Sequence, residues 1–528
     1  MENRVMLSVS LALAAGIANA QQINRIIGRQ SESNRVEDAT VLANNDIALA
    51  GERYYFSPFT VTATLSRTAP DGTPIWSLSM DVADELDTGF GVRELEDKTL
   101  LFGFHTGSSN QSLALARVNG AGVPIWVRSY PGGSGFGAAG LEIDRTIVGE
   151  FGMVANRFDN LIGNYSGQLL RIDTFSGTVV TNRSYATNGE TATSAHFNDL
   201  AFVRDTGDYF VTGAVTRFLG EDRYDTDILV ARIQRFSGGV VWSKAYTLPP
   251  TEDSTRYEEG YSIELATDGS VFVVARADNE FEPFGPPGAV HLRLDPANGN
   301  LLASSFIPDV QPAYASLDKL SNGHLLASGS RTFGDGQSQA QMWEIDPVTA
   351  VVLWRAEYID GQTRGNDAVE HITPEGRFLF LTGSNYPFSI PSIGSPDQMF
   401  LQTDASGDDG CSSVIWIPDH QVPEISVNAV VLSVASVAES SSLQTENFRS
   451  VLDTAIVCRA GACVGDLNND GFVDDADFVI FVNAYNILDC LDPSMPPGCP
   501  ADLNQDGFVD DADFVIFVAA YNELVCPE

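Results

Sequence analysis

The sequence predicts a mainly β protein in which a large domain of repeated four-stranded units is followed by a small α-helical domain. Three observations predict this organisation. A strand–turn–strand pattern recurs every 50 to 61 residues, a 21-residue segment near the C-terminus occurs twice, and all six cysteines lie in the last quarter of the chain. The 528 residues are 44% hydrophobic and only 19% charged, so the chain is long enough for several domains and apolar enough to bury a core.

The first twenty residues are predicted to be a signal peptide. Arg4 precedes a short apolar run from Val5 to Gly16, and Ala18-Asn19-Ala20 has the small-x-small form of a cleavage site. The run is shorter than the roughly 18 apolar residues that a membrane anchor needs. We therefore expect cleavage after Ala20, a soluble secreted or cell-surface protein without a membrane span, and a compartment that permits disulfides.

The charge balance excludes some classes of partner. The chain has 70 acidic and 30 basic residues, a formal net charge of −40. Such a chain repels phosphate backbones and anionic lipid surfaces, so nucleic-acid binding is not expected.

The large domain is defined by a hairpin that occurs seven times. Each copy has an alternating strand, a tight turn and a second apolar strand. The turn positions are Gly72, Gly122, Gly177, Gly238, Gly299, Ala350 and Gly407. Four residues after the turn stands Trp76, Trp126, Trp242 or Trp354, and four further on stands Tyr130, Tyr185, Tyr246 or Tyr358. Recurrence at fixed offsets indicates one structural unit used repeatedly.

A second hairpin precedes most copies of the first, with Asn-Asn, Thr-Gly, Asp-Gly, Asn-Gly or Glu-Gly at its turn. Dipeptides such as Asp-Gly and Asn-Gly between apolar runs are strong hairpin signals. Two hairpins give four strands per repeat, which is the blade of a β-propeller. We predict about seven blades over residues 21–436. Six or eight blades stay possible, because the segment from Ser412 to Cys458 fits no repeat.

The repeats resemble those of PQQ-like and related bacterial propellers, whose consensus is roughly L-x-A-x-D-x-x-T-G-x-x-x-W. Asp173, Asp295 and Asp346 keep the Asp, and four repeats keep the Trp. The recurring Trp and Tyr are expected to pack between blades. The recurring arginines either pair with acids or, alternatively, form an anion-binding ring; they are Arg67, Arg117, Arg171, Arg232 and Arg293.

The duplicated segment begins each time with a twelve-residue pattern typical of a calcium loop. Residues 466–486 and 502–522 are identical at 19 of 21 positions. Oxygen-bearing side chains at loop positions 1, 3, 5, 9 and 12, a glycine at position 6 and a backbone carbonyl at position 7 suit this hard cation. The predicted ligands are Asp466, Asn468, Asp470, the Phe472 carbonyl, Asp474 and Asp477 for one ion, and Asp502, Asn504, Asp506, the Phe508 carbonyl, Asp510 and Asp513 for a second.

Two features separate these loops from a full EF-hand. Position 12 is Asp instead of the usual Glu, and the Gly-interrupted stretch before Asp466 cannot form an entering helix. A duplicated loop followed by a helix resembles the dockerin module of secreted bacterial proteins. We therefore assign residues 437–462 to a linker and residues 463–528 to a dockerin-like domain with two Ca²⁺ ions. The resemblance implies a cohesin-like partner, recognised through loop positions 10 and 11, which are Asp475, Ala476, Asp511 and Ala512.

The resemblance also bears on the disulfides. If the two helices pack antiparallel, as in dockerins, each loop starts near the end of the other copy's helix. That arrangement favours Cys463–Cys526 and Cys490–Cys499 over the other pairings of these four cysteines. Cys411 and Cys458 are then left to pair with each other.

Three functions are consistent with these features. We favour a non-catalytic propeller for binding or display, which a dockerin-like module tethers to a cohesin-like partner or an extracellular assembly. The alternative is a polysaccharide-degrading enzyme, a glycoside hydrolase or lyase, with the same tether. A PQQ-dependent oxidoreductase is weaker, because the vicinal cysteine pair of some quinoproteins is absent. Two catalytic carboxylates cannot be selected among 70 acids, so the sequence identifies no catalytic residue.

Overall fold

The fold is taken from a computed structural model. The structure describes residues 23–521 except for short internal stretches, which are 29–31, 57–58, 82–86, 107–111, 131–140, 144–148, 160–163, 188–191, 204–205, 221–222, 249–255, 280–287, 309–315, 333–337, 359–361, 374–375, 387–396, 410–412, 417–422, 424, 437–440, 443–445, 451–452, 460–464, 466, 468–472, 474, 491, 493–494, 496–498, 500 and 504–506. The chain forms two compact units, with a boundary between Cys458 and Arg459.

The larger unit contains seven antiparallel blades of four strands, as the repeats predict; a parallel pairing of β16 with β18 joins blades 4 and 5 into one sheet. Blade 1 consists of β2 (Glu32–Val41), β3 (Ile47–Phe56), β4 (Phe59–Thr68) and β5 (Pro74–Asp81). Blade 2 has β6 (Thr88–Glu94), β7 (Leu100–Thr106), β8 (Ser112–Val118) and β9 (Pro124–Tyr130). Blade 3 has β10 (Leu141–Ile143), β11 (Glu150–Asp159), β12 (Asn164–Asp173) and β13 (Val179–Thr187).

The remaining blades follow the same order. Blade 4 has β14 (Ala192–Phe202), β15 (Tyr209–Gly220), β16 (Arg223–Ile233) and β17 (Val240–Thr247). Blade 5 has β18 (Arg256–Leu265), β19 (Val271–Asn279), β20 (Gly288–Leu294) and β21 (Leu301–Pro308). Blade 6 has β22 (Leu317–Lys319), β23 (Leu325–Thr332), β24 (Ser338–Asp346) and β25 (Val351–Tyr358). Blade 7 has β26 (Gln362–Thr373), β27 (Gly376–Tyr386), β28 (Asp397–Thr403) and the N-terminal β1 (Ile23–Gly28).

The blades close into a ring. The first strand of each blade contacts the next blade, and β2 of blade 1 contacts β26 of blade 7. A separate apolar core fills each of the seven interfaces between blades. The propeller is therefore stabilised by burial between blades, where alternate residues of neighbouring sheets interdigitate. No helix among the residues that the structure describes is long and apolar enough to cross a membrane.

Blade 7 is completed by the start of the chain. Strand β1 pairs antiparallel with β28, in a register that places Ile23 opposite Gln402. The prediction of a seventh hairpin of this type is therefore wrong. The turn after β28 exists, but the strand that follows it, β29 (Ser413–Trp416), pairs with β25 of blade 6. The blade count of seven is nevertheless confirmed.

A belt of short strands surrounds the ring. We use this name for residues 413–459, which contain β29, β30 (Ser426–Ala429), β31 (Leu432–Ser436), β32 (Ser441–Ser442), β33 (Glu446–Ser450) and β34 (Asp453–Arg459). These strands add a fifth strand to blades 6, 4, 3, 2, 1 and 7 in turn. The belt thus runs around the ring against the order of the blades, and it pairs with the outer edges that the blades would otherwise expose.

The belt changes the predicted domain boundary. Three of its strands lie within the segment 437–462 that the sequence assigns to a linker, and the propeller unit extends to Cys458 rather than to residue 436. The segment shows little apolar periodicity because each of its strands is short and pairs with a blade along one edge only.

The recurring Trp, Tyr and Arg side chains join neighbouring blades, as the packing interpretation predicts. Tyr185 donates a 2.9 Å hydrogen bond to the Gly238 carbonyl in the next blade, and Tyr130, Tyr246 and Tyr358 do the same to Gly177, Gly299 and Gly407. Indole Nε1 of Trp76, Trp126 and Trp242 donates to carbonyls of the following turn. We call this set of contacts the outer latch.

The arginines belong to the same latch. Arg232 pairs with Asp208 of its own blade and donates to the Pro296 carbonyl of the next. The other four repeat this pattern: Arg67 with Asp46, Arg117 with Asp97, Arg171 with Glu150 and Arg293 with Asp268. Because each guanidinium is paired with a carboxylate, the anion-binding ring is not formed.

The residue at the turn of each latch depends on whether an indole ring from the preceding blade packs over it. At Gly299 the backbone φ is +68°, and a Cβ would lie 2.7 Å from the indole of Trp242. Blade 5 has the small Ala303 at the position of that Trp. The following turn carries Ala350 at φ +61°, a conformation that costs a non-glycine residue about 1–2 kcal/mol. A side chain is thus present at this turn only where the preceding blade lacks the indole.

The smaller unit contains two helices of eleven residues, α1 (Asp475–Tyr485) and α2 (Asp511–Tyr521). Its core consists of Val473, Phe481, Ala484, Met495, Ala501, Val509 and Phe517. Phe481 and Phe517 stack at 4.9 Å in the centre. The predicted apolar faces are only partly buried, because Phe478, Val482, Phe514 and Val518 are each more than one third exposed.

Candidate functional site

The candidate metal centres are the two loops that precede α1 and α2. In the first loop the structure describes Asp477, which is fully buried, whereas Asp466, Asn468, Asp470, Phe472 and Asp474 lie outside the described residues. In the second loop it describes Asp502, Phe508, Asp510 and Asp513, and Asn504 and Asp506 lie outside.

Backbone amides of the second loop donate to the carboxylates of the same loop. The Gly507 amide donates to Asp502 Oδ2 at 2.9 Å, where a φ of +91° makes the sharp turn that position 6 requires. Asp510 caps α2 by accepting from the Ala512 amide, and Asp513 accepts from the Asp510 amide in return, in the manner of a capping box. Loop position 12 is thereby held against position 9.

Asp513 and Asp477 are equivalent in the two copies. Asp513 Oδ1 accepts from the Leu503 amide at 2.7 Å, and Asp477 Oδ1 accepts from the Leu467 amide at the same distance. Both carboxylates are fully buried. From Asp466 to the C-terminus the sequence has fourteen acidic residues and no Lys or Arg. Buried carboxylates without a basic side chain in their domain fit a bound divalent cation, which would neutralise them.

The disulfide of this unit agrees with the antiparallel arrangement. Cys490 and Cys499 are bonded, with Cα atoms 5.5 Å apart, as predicted. Cys463, Cys526 and Cys411 lie outside the described residues, as does the side chain of Cys458. Because both sulfurs of Cys490 and Cys499 are in the bond, their proximity to Asp502 does not make a thiolate metal site.

The two copies are related by an approximate two-fold axis between the helices. Tyr485 at the end of α1 donates to Asp511 at the start of α2, and Tyr521 at the end of α2 donates to Asp475 at the start of α1, each at 2.5 Å. The hydrogen bond to Asp511 raises the pKa of Tyr485. The helices are therefore antiparallel, and each begins beside the end of the other.

The predicted partner-binding residues all lie on the surface. Asp475, Ala476, Asp511 and Ala512 are exposed. Next to them, Val479 and Val515 are 59% and 69% exposed at equivalent positions of the two helices. Each copy thus presents the same exposed helix face, polar at its start and apolar along its length.

The centre of the propeller holds a second group of carboxylates, and they join blades. Asp38 accepts from the Val92 amide at 2.6 Å, and Asp199 accepts from the Ile263 amide at 3.0 Å. Asp367 accepts from the Ala39 amide at 2.7 Å, across the junction of blades 7 and 1. Burial, together with the nearby charge of Asp38, raises the pKa of Asp367 to about 8. We call these bonds the inner latch.

One polar group of the propeller was not identified from the sequence. Glu259 on β18 accepts hydrogen bonds from Asn198 at 2.7 Å and Tyr257 at 2.5 Å, and it contacts His196 Nε2 at 2.5 Å. Burial acts to raise the pKa of Glu259, but the hydrogen bond and charge of His196 outweigh it and lower the pKa to about 2. His196 and Glu259 come from different blades, so no local motif marks them. The only signal is a polar residue at matching places in two first strands.

Comparisons with known proteins identify the smaller unit. Residues 464–519 match the family model of the dockerin type I domain, so the chain carries such a domain there. Dockerin type I domains bind calcium and cohesins in general, and proteins that contain them are typically extracellular. Among curated proteins no sequence matches the chain significantly.

Three solved structures are similar to the chain at low identity. An α-L-arabinanase from Penicillium chrysogenum in complex with arabinobiose is 12% identical, covers 73% of this chain and 99% of its own, and has a TM-score of 0.38. A glucose dehydrogenase is 13% identical over 58% of this chain and 93% of its own, with a TM-score of 0.31. An endo-1,5-α-L-arabinanase from Thermotoga petrophila in complex with TRIS is 10% identical over 72% and 99%, with a TM-score of 0.25.

Proposed function

We propose that the chain is an exported protein whose propeller binds or displays a ligand and whose dockerin domain, loaded with two Ca²⁺ ions, attaches the propeller to a cohesin-like partner. The observation that carries the proposal is the duplicated loop–helix unit at residues 464–519 with its family match. Its two exposed helix faces are nearly identical in sequence, which suits a surface made for docking.

The ligands proposed for the two ions are the loop residues that the sequence selects, Asp466 to Asp477 and Asp502 to Asp513. Calcium would supply positive charge in each loop, and in the second loop the predicted acidic ligands that the structure describes are Asp502, Asp510 and Asp513. The domain is small, and its core has seven fully or nearly fully buried side chains. Metal binding is therefore expected to contribute a large share of its folding free energy.

The partner surface is proposed to comprise Asp475 and Ala476 in one copy and Asp511 and Ala512 in the other. The approximate two-fold axis would let a cohesin-like partner bind either copy, in orientations related by a half turn. Both aspartates already accept a hydrogen bond from the tyrosine of the opposite helix, so their carboxylates are held in a fixed position for recognition.

The inner latch supports a non-catalytic propeller over the alternative of a glycoside hydrolase. Most such hydrolases need two carboxylates that face the substrate. Asp38, Asp199 and Asp367, which lie on the first strands of their blades, are instead engaged by backbone amides of the next blade. Their arrangement accounts for closure of the ring without assigning them a reaction.

Attachment is tested by measuring binding of the full-length mature chain to a panel of immobilised cohesin domains, in Ca²⁺ and in EGTA. We expect one or more cohesins to bind in Ca²⁺ and to be released by EGTA. Asp502→Asn combined with Asp466→Asn should abolish binding, whereas Asp492→Asn, an exposed position outside the loops, should not. Absence of binding to every cohesin, or binding that EGTA leaves unchanged, would contradict the proposal.

A further inference from the structure

The hairpin of β15 and β16 in blade 4 is the longest of the second-to-third-strand hairpins, with strands of twelve and eleven residues. The corresponding strands of blade 2 have seven residues each. Near its tip lie two exposed aromatic side chains, Phe218 (38% exposed) and Tyr224 (53% exposed), whose ring centroids are 5.3 Å apart. An exposed aromatic pair on a well-paired hairpin needs an explanation, because burying it would be favourable.

The aromatic pair lies on the side of blade 4 that faces blade 5. Side chains alternate along a strand, so Tyr224 shares a face with Ile228, which packs in the core between blades 4 and 5. Phe218 shares a face with Ala214, and Ala214 pairs with His196. The aromatic pair therefore lies on the same face of blade 4 as His196. It is about 14 Å further from the tight turns, at about 3.4 Å per residue.

The start of β18 in blade 5 faces this surface of blade 4. Thr226 of blade 4 pairs in parallel with Tyr257 of blade 5, two residues from Tyr224. Tyr257 in turn donates to Glu259, the residue that His196 and Asn198 also contact. The exposed aromatic pair and the fixed polar group thus both lie along the junction of blades 4 and 5.

The polar group is rigid and partly open. Glu259 is 5% exposed and contacts His196, Asn198 and Tyr257, so these neighbours cannot reorient without breaking a buried hydrogen bond. The His196 side chain keeps 17% of its surface exposed. A ligand would meet hydrogen-bonding side chains that are already positioned, at little cost in entropy.

The charges in this region select the class of ligand. Arg217 is paired with both Asp225 and Asp227, and the Arg276 guanidinium lies over the Tyr257 ring at 5.9 Å. These cations are therefore already engaged, and the chain carries a net charge of −40, which repels polyanions. A neutral ligand with apolar faces for stacking and hydroxyl groups for hydrogen bonds fits both features.

We propose that the junction of blades 4 and 5 binds a segment of a neutral polysaccharide, with Phe218 and Tyr224 stacking on sugar rings and His196 and Tyr257 bonding to hydroxyl groups. This proposal rests on the proposed role of the propeller as a binding domain. It assigns that domain a site and a ligand class.

The test is calorimetric titration of the full-length mature chain, in Ca²⁺, with neutral hexasaccharides of glucan, xylan, mannan and arabinan and with hexagalacturonate as the anionic comparator. At least one neutral hexasaccharide should bind, and hexagalacturonate should not. Tyr224→Ala should raise the Kd about tenfold or more, since it removes a stacking ring. Tyr224→Phe should keep most of the affinity. Phe175→Ala is the matched control, because Phe175 is 64% exposed in a tight turn of blade 3.

Each result decides the proposal. Absence of binding to every neutral hexasaccharide at millimolar concentration, stronger binding of hexagalacturonate, or equal effects of Tyr224→Ala and Phe175→Ala would overturn it. Glu259→Gln, which keeps the shape of the side chain, should weaken sugar binding while its melting temperature identifies any loss of fold. Cohesin binding, measured on the same samples, separates failure of this site from failure of the docking function. Release of reducing sugar would support the site and overturn the non-catalytic assignment.

Discussion

The propeller and the dockerin domain are stabilised in opposite ways. The propeller has seven apolar cores, one for each interface between blades, and two sets of hydrogen bonds that repeat around the ring. The dockerin domain has a single small core, one described disulfide and carboxylates buried without a basic side chain. The difference teaches that repeats of about 55 residues can close through apolar cores and hydrogen bonds between blades, whereas a domain of about 65 residues with two short helices is expected to depend on ions and covalent bonds as well.

Removing calcium should separate the two regions most strongly. In EGTA the repulsion between loop carboxylates is no longer neutralised, so α1 and α2 should lose their amide protection while the blades keep theirs. Hydrogen exchange of the full-length chain, with and without Ca²⁺, measures both regions in one sample. Protected helices in EGTA would remove the contrast between the two regions.

Deleting the belt should have the next largest effect. A chain that ends at Cys458 lacks only the dockerin domain, whereas one that ends at Gly410 also lacks the belt and its edge pairing. We expect the first to melt close to the propeller transition of the full-length chain. The second should lose about 5 kcal/mol or more, because backbone groups on six blades lose partners. Equal melting temperatures of the two chains would mean that the belt does not contribute to the stability of the propeller.

The outer latch can be tested by exchanging residues at one repeat position. Gly299→Ala should destabilise the propeller by about 1–3 kcal/mol, since a Cβ would meet the Trp242 indole at 2.7 Å and the backbone has a positive φ. Ala350→Gly should change stability by less than about 1 kcal/mol, because relief of backbone strain offsets the lost methyl contact. Denaturant unfolding at constant Ca²⁺ gives both values. Similar losses for the two variants would contradict the matching of turn and indole.

A single latch hydrogen bond should matter less. Tyr185→Phe removes the hydroxyl that donates to the Gly238 carbonyl and should cost about 1 kcal/mol. Tyr224→Phe, an exposed hydroxyl in the next blade, is the control and should be neutral. If both variants unfold alike, the latch tyrosines act through ring packing and not through their hydroxyl groups.

The inner latch is expected to make the stability of the propeller depend on pH. An acid whose pKa rises on folding binds more protons in the native state, so its contribution to stability falls as pH increases from about 4 to about 8. The slope from Asp367 is at most about 1.4 kcal/mol per pH unit. Asp367→Asn keeps an acceptor for the Ala39 amide and should flatten the decline, as followed by denaturant unfolding of the chain ending at Cys458. An unchanged slope would show that Asp367 does not carry it.

The sequence predicts the repeated parts of this molecule and misses the parts that occur once. Turn glycines, Trp and Tyr recur at fixed offsets, so the blades and the outer latch follow from local patterns. Strand β1 and the belt do not, because their partners are far away in the chain and strands such as β32, with two residues, are too short to show alternation. His196 and Glu259 meet only after two blades pack. The dockerin domain and the Cys490–Cys499 bond could be predicted because the duplication makes each copy a check on the other.

Closure of blade 7 by β1 sets an order of events in time. Ile23 is synthesised long before its partner Gln402, which lies near the end of the propeller. Before β28 is synthesised, β1 has no strand to pair with, and until β1 pairs with it the edge of β28 stays open. The ring therefore cannot close until both strands are present. Such long-range pairing slows folding and leaves an unpaired, aggregation-prone strand edge exposed until it forms. The belt strand β34, which lies against β1, can be added only after that. Completion of the propeller is therefore expected to wait for nearly the whole chain ahead of the dockerin domain.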